Sequence, residues 1–353
     1  VRLRRSLTAA VGLAAATTLA LAGCAAEEPA GSADASPKPT TGAEGGATDE
    51  FPITIEHAFG ETVIEAEPER VATWGWGSTE AAVAVGVYPV AVGEQSWTVG
   101  EGNLLPWVEE AYDAESVEHP AVLSDTPAGV EVPYEEFVDV APDLIVAPYS
   151  GLTQEQYDLL SEIAPVVAYP EASWQTDWDE IITITADALG RSDAGEQIVT
   201  DIEQYLADEA TAHPEFEGKT FAAMVDSPSE GLVYVYNSAD PRAGFLEGLG
   251  LEIAPAVDEL APDDGEFFYT LSYEELDKLD SDVIVNYTYT EEESAELPSR
   301  KPLQVLRAVK EGNLVQQVGP VAVSAVSPPT ALSVTWPEGM PALVESLADT
   351  LGQ

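Results

Sequence analysis

From about residue 70 onward, short apolar runs alternate with stretches whose apolar positions recur at helical spacing. Residues 70–74 read as a strand and 78–85 as a helix with Ser78 or Thr79 at its cap, and 87–92 return as strand. Residues 134–140 form a short predicted helix and 144–147 a strand. Residues 153–163 are a helix in which Thr153 and Gln156 have the spacing of a capping box, and 166–169 close this half as a strand. Strand–helix alternation at this spacing indicates a parallel sheet with helices laid on it.

Two helical stretches follow, 177–189 and 192–212, separated at Gly190. In the second, Ile198, Val199, Ile202, Tyr205 and Leu206 recur at helical spacing, and Pro214 lies just past its end. The α/β pattern then resumes, with strands at 220–225 and 232–236 and a helix at 241–249 stopped by Gly250. A helix at 273–279, strands at 282–286 and 314–318, and a closing helix at 340–351 complete the chain. The fold class is therefore α/β, as two doubly wound α/β lobes joined by one long rigid helix.

The start of the chain is of a different kind. Arg2, Arg4 and Arg5 precede an apolar run from Leu7 to Leu21, which ends in Leu21-Ala22-Gly23-Cys24. A basic end, a short apolar core and small residues at a cut site are the layout of a signal peptide. The last four residues resemble the lipobox of bacterial lipoproteins, which implies lipidation of Cys24, the one cysteine in the chain. An ordinary secretory signal with an incidental cysteine is the alternative. Two acyl chains, at about 0.8 kcal/mol per buried CH₂, hold a protein stably at a membrane. With Cys24 taken, no intramolecular disulfide is available. Residues 25–50 are dominated by Ala, Gly, Pro, Ser, Thr and acids, the composition of a disordered tether. The expected organisation is a signal peptide at 1–23, a tether at 24–50, an N-terminal lobe at 51–176, a helical segment with the spine helix at 177–212, and a C-terminal lobe at 213–353. After the first apolar run none approaches 18 residues, the length a membrane span needs.

Charge narrows the partners. Asp and Glu number 64 against 13 Lys and Arg, a net charge of −51, and such a surface repels nucleic acid and anionic headgroups. Salt shortens the Debye length from about 10 Å at 0.1 M to about 3 Å at 1 M, which screens self-repulsion. The acidity is read as adaptation to a saline surrounding. Accordingly, the thermal midpoint is expected to rise between about 0.1 M and about 1 M NaCl; a midpoint indifferent to salt removes that reading.

Several segments, in order, resemble a known family over most of residues 51–353. They are His57-Ala58-Phe59-Gly60, Pro68-Glu69-Arg70-Val71, Trp74-Gly75-Trp76-Gly77-Ser78 and Val85-Gly86-Val87. Pro142-Asp143-Leu144-Ile145-Val146, Ile163-Ala164-Pro165-Val166-Val167, Asp240-Pro241-Arg242, Leu249-Gly250-Leu251 and Ser324-Ala325-Val326-Ser327-Pro328-Pro329 follow. The chain resembles the iron–siderophore solute-binding proteins of ABC importers, in the clade that also binds vitamin B12 and haem. The resemblance implies a ligand cleft between two lobes, a ferric siderophore as ligand, an ABC permease dimer as partner, a monomer on the extracytoplasmic face of the membrane, and no chemical step. Haem or cobalamin on the same fold is the alternative. Iron would arrive already chelated, so no cofactor and no protein-bound metal are expected.

Ligands of open α/β sheets bind beyond the carboxyl ends of the strands. On that rule the first half offers Trp76, Trp97, Tyr149 and Trp174, and the second Tyr236, Asn237, Arg242, Tyr287, Tyr289 and Ser327. Aromatic faces with a few polar groups suit a large, partly apolar chelate. Each aromatic could equally be core. Trp74 and Trp76 alternate, so only one faces the cleft, and Trp107, Trp178 and Trp336 are read as structural. Arg242 is a cation among carboxylates that can bond oxygens around a ferric centre, or simply pair with a neighbouring acid; the family's Arg on this loop favours the ligand. The resemblance also implies one exposed glutamate per lobe for the permease, assigned to Glu135 and Glu274 with Glu136 and Glu275 as neighbours in reserve. A solvated helix start explains the same acids. An exported hydrolase fares poorly: there is no G-x-S-x-G and no H-E-x-x-H, and only His57, His119 and His213 exist.

Overall fold

The computed structural model describes residues 46–95, 103–124, 131–263, 265–327 and 329–352. The signal segment, Cys24, nearly all of the tether and Trp97 lie outside the described residues. A hairpin of β1 (Ile53–His57) and β2 (Gly60–Ile64) opens the fold, antiparallel with Ile53 opposite Ile64.

The first sheet contains β3 (Val71–Thr73), β4 (Ala91–Gly93), β5 (Ala121–Leu123), β6 (Leu144–Val146) and β7 (Val166–Val167). All are parallel, in the order β5-β4-β3-β6-β7. The chain works outward from β3 in one direction and then in the other, which makes the two flanks of β3 a topological switch point. Helices α1 (Ser78–Ala84), α2 (Pro106–Glu115), α3 (Tyr134–Val140) and α4 (Gln154–Ser161) lie along the crossovers. The capping box of α4 is formed: Gln156 N–H donates to Thr153 Oγ1 at 3.3 Å, and Thr153 N–H donates to Gln156 Oε1 at 2.9 Å. Thr153→Ala is expected to cost about 1 kcal/mol, to be checked by chemical denaturation.

Neither Ser78 nor Thr79 caps α1, contrary to expectation. Gly77 is the N-cap at φ 79°, the Thr79 hydroxyl bonds that of Thr73 at 2.6 Å, and the Ser78 hydroxyl has no partner among the described residues. The turn from β3 into α1 runs through left-handed backbone at Gly75 and Gly77, which glycine adopts without steric cost. The strand expected at 87–92 is also shorter. Residues 87–89 still follow α1, with Val87 N–H on Ala82 O, and pairing starts only at Ala91.

Helix α5 (Trp178–Ala188) is followed, across a positive-φ Gly190, by α6 (Ser192–Ala212). Gly195 lets α6 press on α5, since a Cβ there would lie 2.4 Å from Ala186 Cβ. Near its other end, Leu206 meets Gly248 of α7 (Pro241–Gly248) in the same way. The buried face of α6 comprises Gly195, Ile198, Ile202 and Leu206.

The second sheet contains β8 (Thr220–Ser227), β9 (Leu232–Tyr236), β10 (Glu252–Ile253), β11 (Phe268–Ser272), β12 (Val283–Thr288) and β13 (Leu314–Val318). Its order is β11-β9-β8-β12-β13, with β10 beside the start of β8. Strands β10, β12 and β13 run parallel with β8, whereas β9 and β11 form an antiparallel edge. The helix expected at 273–279 is only a 3₁₀ turn, Leu276–Lys278. Residues just before it are held otherwise: Tyr273 N–H bonds Gly231 O, its hydroxyl donates to Asp226 at 2.7 Å, and Glu275 N–H bonds Ser272 O.

One buried cluster runs from Val71 and Leu144 of the first sheet, through Ile182, Ile198 and Ile202, to Phe221 and Val285 of the second. A separate cluster joins Val83, Leu105 and Trp107 to Ala325 and Trp336. The two sheets thus share apolar contacts through the helices as well as across the space between their loops. Among the described residues no helix is long and apolar enough to cross a membrane.

Candidate functional site

The loops after β3, β6 and β7 bring three aromatic rings together. Trp74 is buried against Phe137 at 5.7 Å, while Trp76, past the Gly75 turn, is half-buried. Trp76 lies 5.4 Å from Trp174 and 6.4 Å from Tyr149, and Tyr149 lies 5.3 Å from Trp174. Backbone bonds fix the group: Trp76 N–H donates to Tyr149 O at 3.0 Å, and Trp174 N–H to Ser150 O at 3.3 Å. The approach is close. A Cβ on Gly75 would fall 2.2 Å from Tyr149 O, and one on Gly151 would fall 2.5 Å from Trp174 Nε1. Trp174 itself has φ 59°, a strained conformation for a bulky residue, so its ring is held rather than free to settle.

Across from this wall stands Arg242, on the first turn of α7. Its Nε and Nη2 donate to Asp240 Oδ1 and Oδ2 at 2.6 and 2.5 Å, and Nη1 donates to Ser327 Oγ at 2.6 Å. The guanidinium carbon sits 3.5 Å from the Tyr236 ring centre and 5.4 Å from that of Tyr287, a cation–π stack on the nearer ring. Asp240 is fully buried, caps α7 by accepting from Arg242 N–H at 2.9 Å, and holds the guanidinium as a planar fork. The pairing with a neighbouring acid is thus real. It leaves two of the five guanidinium N–H donors outside any bond among the described residues.

The two halves sense each other. Burial pushes the Tyr149 phenol far up from its usual range, and the charges of Asp240 and Arg242 act on it with opposite sign. Burial likewise raises Tyr287, and it pushes Tyr289 up to about 12. Gln175, beside Trp174, donates to Gly265 O of the second half at 2.5 Å. A cavity between the halves is lined by Trp76, Gln95 and Leu105 on one side and by Tyr289, Ser327 and Thr330 on the other, with Glu80 of α1 also on its surface.

Not every expected residue reaches this place in the expected way. Because β9 runs antiparallel, Tyr236 is opposite Ala223 in the middle of β8, on the face of the sheet instead of its carboxyl rim. Its ring reaches the group through contact with Tyr287 at 5.9 Å and with Arg242. The Asn237 side chain is spent locally, donating to Glu266 O at 2.7 Å and accepting from Ala239 N–H at 3.0 Å. Glu80 and Asp240 were not singled out by their sequence. Asp240 carries a readable signal, an N-cap acid before a proline at N1, and Glu80 is an acid inside a run of small and apolar residues.

Both proposed docking acids are exposed. Glu136 is tied to Ser124, accepting from its N–H and hydroxyl at 2.7 Å each, whereas Glu135 makes no bond among the described residues. Glu275 is held by Lys278 at 2.7 Å and Ser272 at 3.1 Å, and Glu274 beside it is unengaged among the described residues. Glu274 precedes a 3₁₀ turn and lies outside any α-helix. Among the described residues no three His, Cys, Asp or Glu side chains gather as a metal centre requires.

Two α/β halves, joined through a helix pair and enclosing between them a cavity lined by Trp76, Tyr289 and Ser327, have the architecture of a solute-binding protein. Residues 71–317 match the periplasmic binding protein family, and the chain belongs to it. The probable siderophore-binding lipoprotein YfiY of Bacillus subtilis (strain 168) is 29% identical over 278 residues, covering 74% of this chain and 78% of that protein. PiaA, the iron uptake ABC transporter substrate-binding protein of Streptococcus pneumoniae TIGR4, has been crystallised with ferrichrome. That complex is 32% identical with a TM-score of 0.75, covering 85% of this chain and 99% of its own. A periplasmic solute binding protein from Mycobacterium smegmatis is 28% identical with a TM-score of 0.69, over 85% of this chain and 99% of that one.

Proposed function

We propose that this protein captures a ferric siderophore outside the cell membrane and hands it to an ABC permease. The observation that carries the reading is the convergence of Trp76, Tyr149 and Trp174 with an Arg242 fork stacked on Tyr236. The rings offer flat apolar area to the organic part of a chelate, and the guanidinium offers hydrogen bonds to the oxygens around iron. The ferrichrome complex of PiaA and the name of YfiY support the same ligand class. Binding needs no reaction at this site, and iron enters as cargo. The net charge of −51 favours a neutral or cationic ferric hydroxamate over an anionic catecholate.

In this reading Cys24 carries the lipid anchor, residues 24–50 are the tether, and the protein acts as a monomer. Glu135 and Glu274 meet basic residues of a permease dimer, a role that suits acids left exposed and unengaged between neighbours that are tied down. The lobes take the bounds 51–176 and 213–353, with 177–212 between them. Replacing both Trp76 and Trp174 with Ala is expected to weaken binding of a ferric hydroxamate about tenfold or more, since each aromatic contact contributes roughly 0.5–1.5 kcal/mol beyond its buried area. Unaltered affinity in an equilibrium titration would contradict the placement of the ligand.

A further inference from the structure

Glu80 lies in the first turn of α1, a helix in which every residue is buried, and it is itself 2% exposed. Its Oε1 accepts from Trp107 Nε1 at 3.2 Å, while Oε2 has no hydrogen-bond partner among the described residues. Trp107 is held in turn against Trp336 of the second half, ring to ring at 5.6 Å. Glu80 is among the residues lining the cavity between the halves, with Trp76, Tyr289 and Ser327. A buried oxygen left unpaired is uncommon and calls for an account. Here the account is a partner that arrives from outside.

The neighbouring chemistry says what kind of partner. Ser327 Oγ already accepts from Arg242 Nη1, so its own proton is available to the cavity. Arg242, bonded to that hydroxyl, keeps two further N–H groups outside any bond among the described residues. This side of the cavity is therefore rich in donors and suits a solute rich in acceptor oxygens. In its neutral form Glu80 joins that set: Oε1 accepts from Trp107, so the acid proton resides on Oε2. Burial acts in the same direction, disfavouring the charged carboxylate.

We propose that Glu80 is a ligand-binding residue, its free oxygen donating a hydrogen bond to a carbonyl or hydroxamate oxygen of the bound chelate. The proposal rests on the siderophore reading above and adds a specific contact to it. In a chain this acidic, an uncharged acid in the cleft holds acceptor oxygens without adding to the repulsion of the surface.

The test is a titration of the full chain with ferrichrome, a neutral ferric trihydroxamate, for wild type and the variants Glu80→Gln, Glu80→Met and Glu80→Ala. Circular dichroism confirms that each variant is folded. Gln retains an acceptor for Trp107 and an N–H donor for the ligand, so its dissociation constant should stay within about threefold of wild type. Met, of similar size, and Ala have no donor and should lose tenfold or more. If Met or Ala binds as wild type does, Glu80 has no part in recognition and the proposal is overturned while the siderophore reading stands. If Gln loses as much as Met, donation is refuted. If wild type binds neither ferrichrome nor any other ferric siderophore, the siderophore reading itself fails and the Glu80 contact goes with it.

Discussion

Arg242→Ala is expected to lower affinity for the ferric ligand at least tenfold and to destabilise the unliganded protein as well. The two effects have different origins. The guanidinium is a fork of donors held flat by Asp240, by Ser327 and by the Tyr236 ring. Removing it deletes the hydrogen bonds offered to the ligand. It also leaves Asp240, fully buried, as a charge with no cation. Breaking a buried pair by removing one member commonly costs about 3–5 kcal/mol. Arg242→Lys should show a milder loss of stability but a clear loss of affinity, because an ammonium keeps the charge and lacks the planar fork. Calorimetric melting and ligand titration on the same samples separate the two. An unchanged dissociation constant for a folded Arg242→Ala protein would remove Arg242 from the binding site.

Replacing Glu135 and Glu274 together with Arg is expected to reduce uptake of iron-loaded siderophore by cells to background while leaving the dissociation constant within about twofold. Reversing two charges at an interface sets like charges against each other, which costs several kcal/mol and slows encounter. Neither side chain is engaged among the described residues, so the substitutions break no bond among them. The single changes at Glu136 and Glu275 are expected to disturb Ser124 and Lys278 first. If the double variant binds poorly, the two positions serve the cleft or the fold instead of the permease.

Local signals made much of this architecture readable. The helix at 134–140, the capping box of Thr153 and Gln156 and the break at Gly190 each follow from a few adjacent residues. What the chain does not announce is long-range. The antiparallel edge of the second sheet depends on the tight turn between Ser227 and Leu232 and on pairing with Phe268–Ser272, 32 or more positions further along than Tyr236. For that reason the strand rule places Tyr236 at a carboxyl rim, whereas it stands on a sheet face. The 3₁₀ turn at Leu276–Lys278 likewise reflects Tyr273 reaching Asp226, a distant partner. The rings of Trp76, Tyr149 and Trp174 could be nominated one by one from the strands they follow, but their contact with each other required the order of the sheet. Glu80 shows the same limit: its burial follows from the small residues around it, and its position on the cavity does not.

The most direct measurement is a tryptophan-fluorescence titration of the purified protein in high salt with ferric hydroxamates, ferric catecholates, ferric citrate, haemin and cobalamin. Trp76 lines the cavity between the halves and Trp174 packs against it, so both rings are placed to report on a bound ligand. The account predicts saturable quenching in the submicromolar range by a ferric hydroxamate and none by its iron-free form. Tight binding of haemin or cobalamin alone, or silence across the panel, would contradict it.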